Sequence, residues 1–194
     1  MVTCIEVESA NGTREVGIST RHLMNRRIFI QGEINEETAN NFVQQIMYLE
    51  SEGNEPISVY INSNGGSVSD GLLIYDAMQA SKCKINTICT GMAASMGAVI
   101  LCGGSKGHRY ILPHSKVMIH EPLIRNGVGG SATSISKISE SILDTRETLN
   151  GILAKHTGKT IEEMNEATAF DNYFNAKEAI EFGLVDKEVK GLFV

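Results

Sequence analysis

The chain has 194 residues, 42 % of them hydrophobic, and a formal net charge of −6. A chain of this length and composition can bury a sizeable core, which indicates one folded domain over residues 1–194 rather than a disordered segment. The acidic balance, with no dense run of lysine and arginine, argues against nucleic-acid binding.

Cysteine usage and hydropathy indicate a reducing compartment. No two of the four cysteines have the C-x-x-C spacing of a zinc or redox site, and three lie in or beside apolar runs. We therefore expect buried free thiols and no bound metal. The N-terminus does not resemble a secretory signal, and the longest uncharged apolar run, Met92–Cys102, is too short to cross a bilayer. A cytoplasmic location without membrane contact is predicted.

Strand-like and helix-like segments alternate along the chain. Residues 1–20 are polar and weakly patterned, and we predict a short, partly mobile arm there. β-Branched and aromatic runs then predict strands at 27–31, 56–61, 85–90, 108–112, 116–120 and 184–189. Helices are predicted at 36–52, 67–81, 93–101, 135–153, 160–168 and 176–182. This alternation predicts an α/β fold with parallel strands.

Two glycine-bearing connections stand out. Asn62–Gly66 is predicted to be a tight turn at the carboxyl end of a strand, where sites collect in parallel α/β folds. Its two glycines can present backbone N–H groups to an oxyanion, although an ordinary strand-to-helix turn explains them equally well. The segment 124–134 is rich in glycine and serine, and is predicted to be a flexible loop or an irregular strand.

The run Gly91–Gly97 places a serine where a predicted strand passes into a helix. Its sequence, GMAASMG, is similar in context to the nucleophile elbow of α/β-hydrolases, although Ala93 replaces the first glycine of G-x-S-x-G. Small neighbours would let a substrate carbonyl approach the Ser95 hydroxyl. Taken alone, small residues in an apolar helix more often serve close packing.

A histidine and an aspartate complete the set of candidate catalytic residues. His120 ends a strand-like segment and is a plausible general base, whereas the other four histidines are expected to be structural or exposed. Asp171 lies between aromatic residues, which predicts a partly desolvated carboxylate that could orient an imidazole. The alternative for Asp171 is a helix cap for the segment that starts near Asn175.

Four runs in this order identify a known family. They are YINSNGG at 60–66, GMAASMGA at 91–98, MIHEPL at 118–123 and AKEAIEFGLVD at 176–186. Together they resemble the ClpP protease family over about residues 20–188, in order and with familiar spacing.

The resemblance implies a serine endopeptidase without a cofactor. On matching positions, Ser95 is the nucleophile, His120 the general base and Asp171 the orienting carboxylate. The backbone N–H groups of Gly66 and Met96 would form the oxyanion hole, and Val68 and Leu123 are matched to the substrate-binding region.

The resemblance also implies a fold and an assembly. The family fold is crotonase-like, a spiral of parallel β-units with a projecting handle of strand plus helix, here about residues 124–156. Such handles join two heptameric rings into a chamber, and AAA+ unfoldases of the ClpX or ClpA/ClpC type feed unfolded proteins into it.

Some positions depart from the family pattern. Asn64 stands where a proline is common, and Ala169 and Phe170 replace a charged pair that links ring contacts to the active site. Ser58 and Ala80 stand where aromatic residues commonly line the ATPase docking pocket, so partner docking is expected to be altered.

Three alternatives remain at this level. A crotonase-fold acyl-CoA enzyme would use similar backbone N–H groups but acidic catalytic residues. A non-catalytic subunit of a mixed ring would not need all three triad positions. Membrane-attached signal-peptide peptidases share the fold but use a Ser/Lys pair and an anchor.

Overall fold

A computed structural model describes residues 3–9, 12–124 and 127–192. The strands are β1 (Cys4–Ser9), β2 (Gly12–Gly17), β3 (Arg27–Ile34), β4 (Ile57–Gly66), β5 (Ile85–Ala94), β6 (Arg109–Ile111), β7 (Lys116–Ile119), β8 (Asn172–Phe174) and β9 (Lys187–Glu188). The helices are α1 (Ile18–Met24), α2 (Glu36–Glu52), α3 (Val68–Ala80), α4 (Met96–Cys102), α5 (Ala132–Thr157), α6 (Ile161–Thr168) and α7 (Ala176–Phe182).

Within these residues, seven strands form one mostly parallel sheet. Its order is β3-β4-β5-β6-β9, with β7 paired to β5 and β8 paired to β7. Every pairing is parallel except that of β7 with β8. The predicted α/β fold with parallel strands is therefore confirmed, with β8 as an antiparallel exception.

The core lies between this sheet and three helices. Helices α2, α3 and α4 follow one another across β3, β4 and β5. Strand residues that point to the helices, such as Ile30, Val59 and Cys89, are fully or almost fully buried, as are Phe42 and Leu49 of α2. Burying one such aliphatic or aromatic side chain contributes about 1.5–3 kcal/mol.

Local signals set the ends of several helices. Asn35 accepts a hydrogen bond from the Thr38 N–H and caps α2, which begins at the predicted residue, Glu36. Asn175 and Glu178 form a reciprocal capping box at the start of α7. Gly183 ends that helix with φ +94°, a left-handed conformation that favours glycine.

Several predicted boundaries were wrong around the strand ends. The run Asn62–Gly66 is not a separate turn, because β4 continues through it with an irregular register after Ile61. Likewise Gly91 does not end β5, which continues to Ala94, so α4 begins only at Met96. Glycine interrupts side-chain packing but leaves backbone pairing intact, so glycine content alone misplaced these ends.

Short elements near the termini were also missed or misjudged. The predicted arm contains an antiparallel hairpin, β1–β2, followed by α1. Strand β8 was not predicted, and the last strand is only Lys187–Glu188. In the Gly/Ser-rich segment, residues 127–131 form no strand, and residues 125 and 126 lie outside the described residues.

Helix α5 is only half packed. Its C-terminal part buries Leu149, Leu153 and Ala154, whereas residues 131–141 are exposed throughout. Ile135 and Ile138 lie in that exposed half, and they begin a stripe of apolar residues at steps of three and four that continues through Ile142, Leu149 and Ile152. A helix with an unpacked apolar stripe has a surface suited to a protein partner.

One buried ion pair ties β6 to the C-terminal region. Arg109 is 5 % exposed, and its Nε and Nη2 donate to the Asp186 carboxylate at 3.0 and 2.6 Å. Its Nη1 donates to the carbonyls of His156 and Gly183 at 3.1 and 2.9 Å. Burial raises the pKa of Asp186, but the hydrogen bonds and charge of Arg109 outweigh it and hold that pKa below its ordinary value.

We expect Arg109→Met to lower the free energy of unfolding by about 3–5 kcal/mol, because it leaves the Asp186 carboxylate partly buried without its partner. Urea unfolding followed by circular dichroism measures the change. The double variant Arg109→Met/Asp186→Leu should recover most of the loss. Wild-type stability of the single variant would contradict this account of the ion pair.

Candidate active site

Ser95 is the single residue between β5 and α4. Its backbone has φ +55° and ψ −122°, an unusual conformation for a residue with a side chain. Its N–H donates to the Met118 carbonyl at 2.9 Å, which ties the turn to β7. The hydroxyl does not cap α4. A serine on a strained strand-to-helix turn is the context of a nucleophile elbow.

His120 reaches Ser95 because β7 runs beside β5. Met118 pairs with Ala94, so the residue that follows β7 lies next to the turn that follows β5. The His120 Nε2 is 2.9 Å from the Ser95 Oγ, and the imidazole is 13 % exposed. The structure thus places the predicted base within hydrogen-bond distance of the predicted nucleophile.

Asp171 is positioned by the antiparallel strand that the sequence did not predict. Ile119 pairs with Asn172 across β7 and β8, so His120 and Asp171 are neighbours at the end of that pair. The Asp171 Oδ1 is 3.1 Å from the His120 Nδ1. A carboxylate can only accept, so Nδ1 carries the proton and Nε2 is left to accept from the Ser95 hydroxyl.

The environment of Asp171 differs from the expected one. Its side chain is 59 % exposed, and the neighbouring Phe170 is 86 % exposed, so the aromatic residues do not desolvate it in this chain. Asp171 does not cap α7 either, since Asn175 fills that position with its own side chain. The expectation of a partly buried carboxylate was therefore wrong. Asp171 contacts the site through its hydrogen bond to His120.

Gly65, the residue before the predicted oxyanion glycine Gly66, lies against the serine. A Cβ added to Gly65 would meet the Ala94 carbonyl oxygen and the Ser95 Cβ, each at 2.7 Å, so only glycine lets β4 approach this closely. The following residue, Gly66, pairs with Ile34 at the end of β4. Met96 is the first residue of α4, where amide N–H groups lack an intrahelical acceptor.

The predicted substrate residues fall in two different environments. Val68 lines a small cavity together with Ser95 and His120, and this cavity has a volume of about 20 Å³. Leu123 is not part of its lining and is 55 % exposed. This volume holds about one water molecule.

A buried polar cluster supports the site and was missed by sequence reasoning. The Asn150 Nδ2 donates to the Thr168 Oγ1 at 3.1 Å and to the Asn165 Oδ1 at 2.8 Å. The Thr168 carbonyl then accepts from the Glu121 N–H at 2.7 Å, directly after His120. Asn150 is 1 % exposed and lies between the buried Leu149 and Leu153. A polar residue among the apolar residues of this helix was the signal in the sequence that could have revealed the cluster.

Other reactive side chains lie apart from the site. Cys83, Cys89 and Cys102 are buried free thiols, as predicted, and burial raises the pKa of Cys102 to about 12. Burial likewise lowers the pKa of His156 to about 4. Its Nε2 lies 2.9 Å from the Tyr75 hydroxyl, so His156 has a structural contact.

The described parts of the chain contain neither a cluster of metal-binding side chains nor a membrane-spanning helix. In residues 3–9, 12–124 and 127–192, no three His, Cys, Asp or Glu side chains cluster closely enough to hold a metal ion. No helix in the same ranges combines the length and hydropathy that crossing a bilayer requires.

A parallel α/β sheet that carries adjacent serine, histidine and aspartate side chains at its strand ends is an architecture of serine hydrolases. The family model described as Clp protease matches residues 10–191 of the 194-residue chain. The chain therefore belongs to the Clp protease family, whose members are peptidases, generally of the serine type, with the crotonase-like α/β fold.

Proposed function

We propose that this protein is a serine endopeptidase subunit that cleaves unfolded proteins and peptides through an acyl-enzyme. The observation that carries the proposal is the continuous row from the Ser95 Oγ to the His120 Nε2 at 2.9 Å and from the His120 Nδ1 to the Asp171 Oδ1 at 3.1 Å. Family membership supports the peptidase chemistry.

In the proposed reaction, the Ser95 oxygen attacks the scissile carbonyl carbon while His120 takes the hydroxyl proton. The backbone N–H groups of Gly66 and Met96 stabilise the oxyanion that forms. The C–N bond then breaks as His120 returns the proton to the leaving amine. Water, activated by His120, hydrolyses the ester and restores Ser95. Asp171 holds the imidazole in the required tautomer throughout.

A covalent serine probe tests the proposal against the acyl-CoA alternative. A fluorophosphonate should label Ser95, as located by mass spectrometry, and His120→Asn should suppress labelling because the hydroxyl loses its base. Ser69→Ala is the matched control, since Ser69 is an exposed serine on α3. Tight binding of coenzyme A without labelling would favour the acyl-CoA enzyme instead.

We further propose that the subunit assembles into two stacked heptamers that enclose the sites. The exposed apolar stripe of α5, which includes Ile135 and Ile138, supports a partner on this helix, and Leu143 is a further exposed apolar side chain there. Family members generally form rings that work with Clp ATPases. A ring ATPase of the ClpX or ClpA/ClpC type would supply unfolded chains, and the cytoplasm would be the compartment.

We expect light scattering to give the mass of a large homo-oligomer at physiological salt. The double variant Ile135→Glu/Ile138→Glu should dissociate it at least in part, because it places charges on the apolar stripe. Lys137→Glu introduces the same residue on another side of α5, and should keep the assembly. A stable monomer of the unaltered protein would contradict the proposed assembly.

Docking of the ATPase is proposed to differ from the family pattern. Ser58 is 8 % exposed, and Ala80 is exposed at the end of α3. Neither side chain offers the apolar area of an aromatic residue, which is well over about 100 Å². Tyr60 keeps an aromatic ring at this face.

A further inference from the structure

A second cavity lies at the end of the sheet opposite to Ser95. It has a volume of about 480 Å³ and is lined by the first residues of the parallel strands and by the segments that precede them. Ser58 and Asn86 lie in its lining near the starts of β4 and β5. The candidate active site uses the carboxyl ends of the same two strands.

The charge of this cavity is opposite to that of the whole chain. Arg26, Arg27, Lys84 and His108 line it, and none of its lining residues is acidic, although the chain carries a net charge of −6. Outside the lining, the Glu55 carboxylate lies 3.9 Å from Arg26 and is 71 % exposed.

The four basic side chains differ in how many contacts they make within the protein. Arg26 donates to the carbonyls of Leu49, Gly53 and Glu55 and is held in place by them. Lys84 is exposed and forms no ion pair within the ranges that the structure describes. The cavity therefore offers at least one cation that a ligand can neutralise.

The floor of the cavity has an unsatisfied acceptor. Arg27, Ser58 and Asn86 lie side by side across β3, β4 and β5. The Asn86 side chain is 7 % exposed; its Nδ2 donates to the Ser58 Oγ at a long 3.4 Å, and its Oδ1 has no partner among the described residues. Since Ser58 accepts this bond, its own hydroxyl proton is available to a ligand.

We propose that this cavity binds a peptide segment of a partner protein that carries an acidic side chain. The carboxylate lies beside Lys84 and accepts a hydrogen bond from the Ser58 hydroxyl. The proposal deepens the partner docking proposed at Ser58 and rests on it, but it does not depend on the chemistry at Ser95.

An apolar cavity beside the basic one supports a peptide, rather than a small anion, as the ligand. It has a volume of about 410 Å³, shares Arg27 with the basic cavity, and is lined by apolar and aromatic residues that include Phe29, Tyr60 and Leu112. The rings of Phe29 and Tyr60 stack with centroids 5.0 Å apart. A segment with an apolar residue beside an acidic one fits both cavities, whereas an inorganic anion uses only the charges.

The test compares two fluorescein-labelled peptides of equal length, one with two leucines followed by two aspartates and one with asparagines in place of the aspartates. Fluorescence anisotropy at low salt should give the acidic peptide about a tenfold lower Kd. Added salt should reduce this preference. Lys84→Glu should abolish it, and Lys177→Glu, an exposed lysine outside both cavities, should keep it.

Three results would overturn the proposal. They are equal affinity for the two peptides, an acidic preference that survives Lys84→Glu, and displacement of the acidic peptide by low concentrations of sodium phosphate, which would indicate a free-anion site. Hydrolysis of an unrelated fluorogenic peptide is measured on the same samples. If hydrolysis is normal and the acidic peptide binds no more tightly than its control, this inference alone is wrong. If hydrolysis is lost and the preference for the acidic peptide is retained, the peptidase proposal is wrong.

Discussion

Ser95→Ala should abolish hydrolysis of a fluorogenic peptide, with a loss in kcat of about 10⁴-fold or more. The substitution removes the oxygen that lies 2.9 Å from the His120 Nε2 and leaves no other hydroxyl at that position. Alanine and serine both carry a Cβ, so the unusual backbone conformation of this turn costs them about the same. The fold should therefore be retained. Steady-state kinetics and a thermal melt measure the two effects together.

Ser69→Ala is the control for this experiment. Ser69 is exposed near the start of α3, and its hydroxyl contacts only the Ser67 hydroxyl, at 3.0 Å, among the described residues. It should keep wild-type turnover. Turnover of pure Ser95→Ala protein close to that of the wild type would show that Ser95 is not the nucleophile.

Asp171→Asn should lower kcat by about 10²–10³-fold, with a smaller change in KM. An amide can donate to the imidazole and so favour the tautomer in which Nε2 carries the proton and cannot accept from Ser95. The exposure of Asp171 lets solvent compete for this contact, and we therefore expect a smaller loss than a fully buried triad aspartate would give.

Asp144→Asn provides the matched control, since Asp144 is an exposed aspartate on α5. It should leave kcat unchanged. If Asp171→Asn retained wild-type kcat while chemistry limits the rate, Asp171 would not be the residue that orients His120.

Pattern and composition predicted the fold class because its signals are local. β-Branched and aromatic residues mark the first halves of β3, β4 and β5 in the sequence, and Asn35 before the acidic Glu36 and Glu37 is a cap signal for α2. The proximity of His120 to Ser95 was implied by the family resemblance, and it arises because the two residues come directly after parallel strands that pair with each other.

What could not be predicted depends on contacts distant in sequence. Strand β8 has only three residues and forms through its pairing with β7, yet this pairing is what brings Asp171 to His120. The exposure of Asp171 depends on which surfaces lie nearby, and the flanking aromatic residues gave the opposite expectation. The orphaned oxygen of Asn86 is likewise visible only once three strands lie side by side.

The backbone of Ser95 has a consequence for evolution. A φ of +55° with a ψ of −122° is a conformation that glycine adopts without penalty, whereas a residue with a Cβ costs about 1–3 kcal/mol there. Ser95→Gly should therefore melt above Ser95→Ala while being equally inactive. Selection for stability alone would favour glycine at position 95, and the proposed role of the Ser95 hydroxyl as the nucleophile accounts for a serine there at the expense of stability.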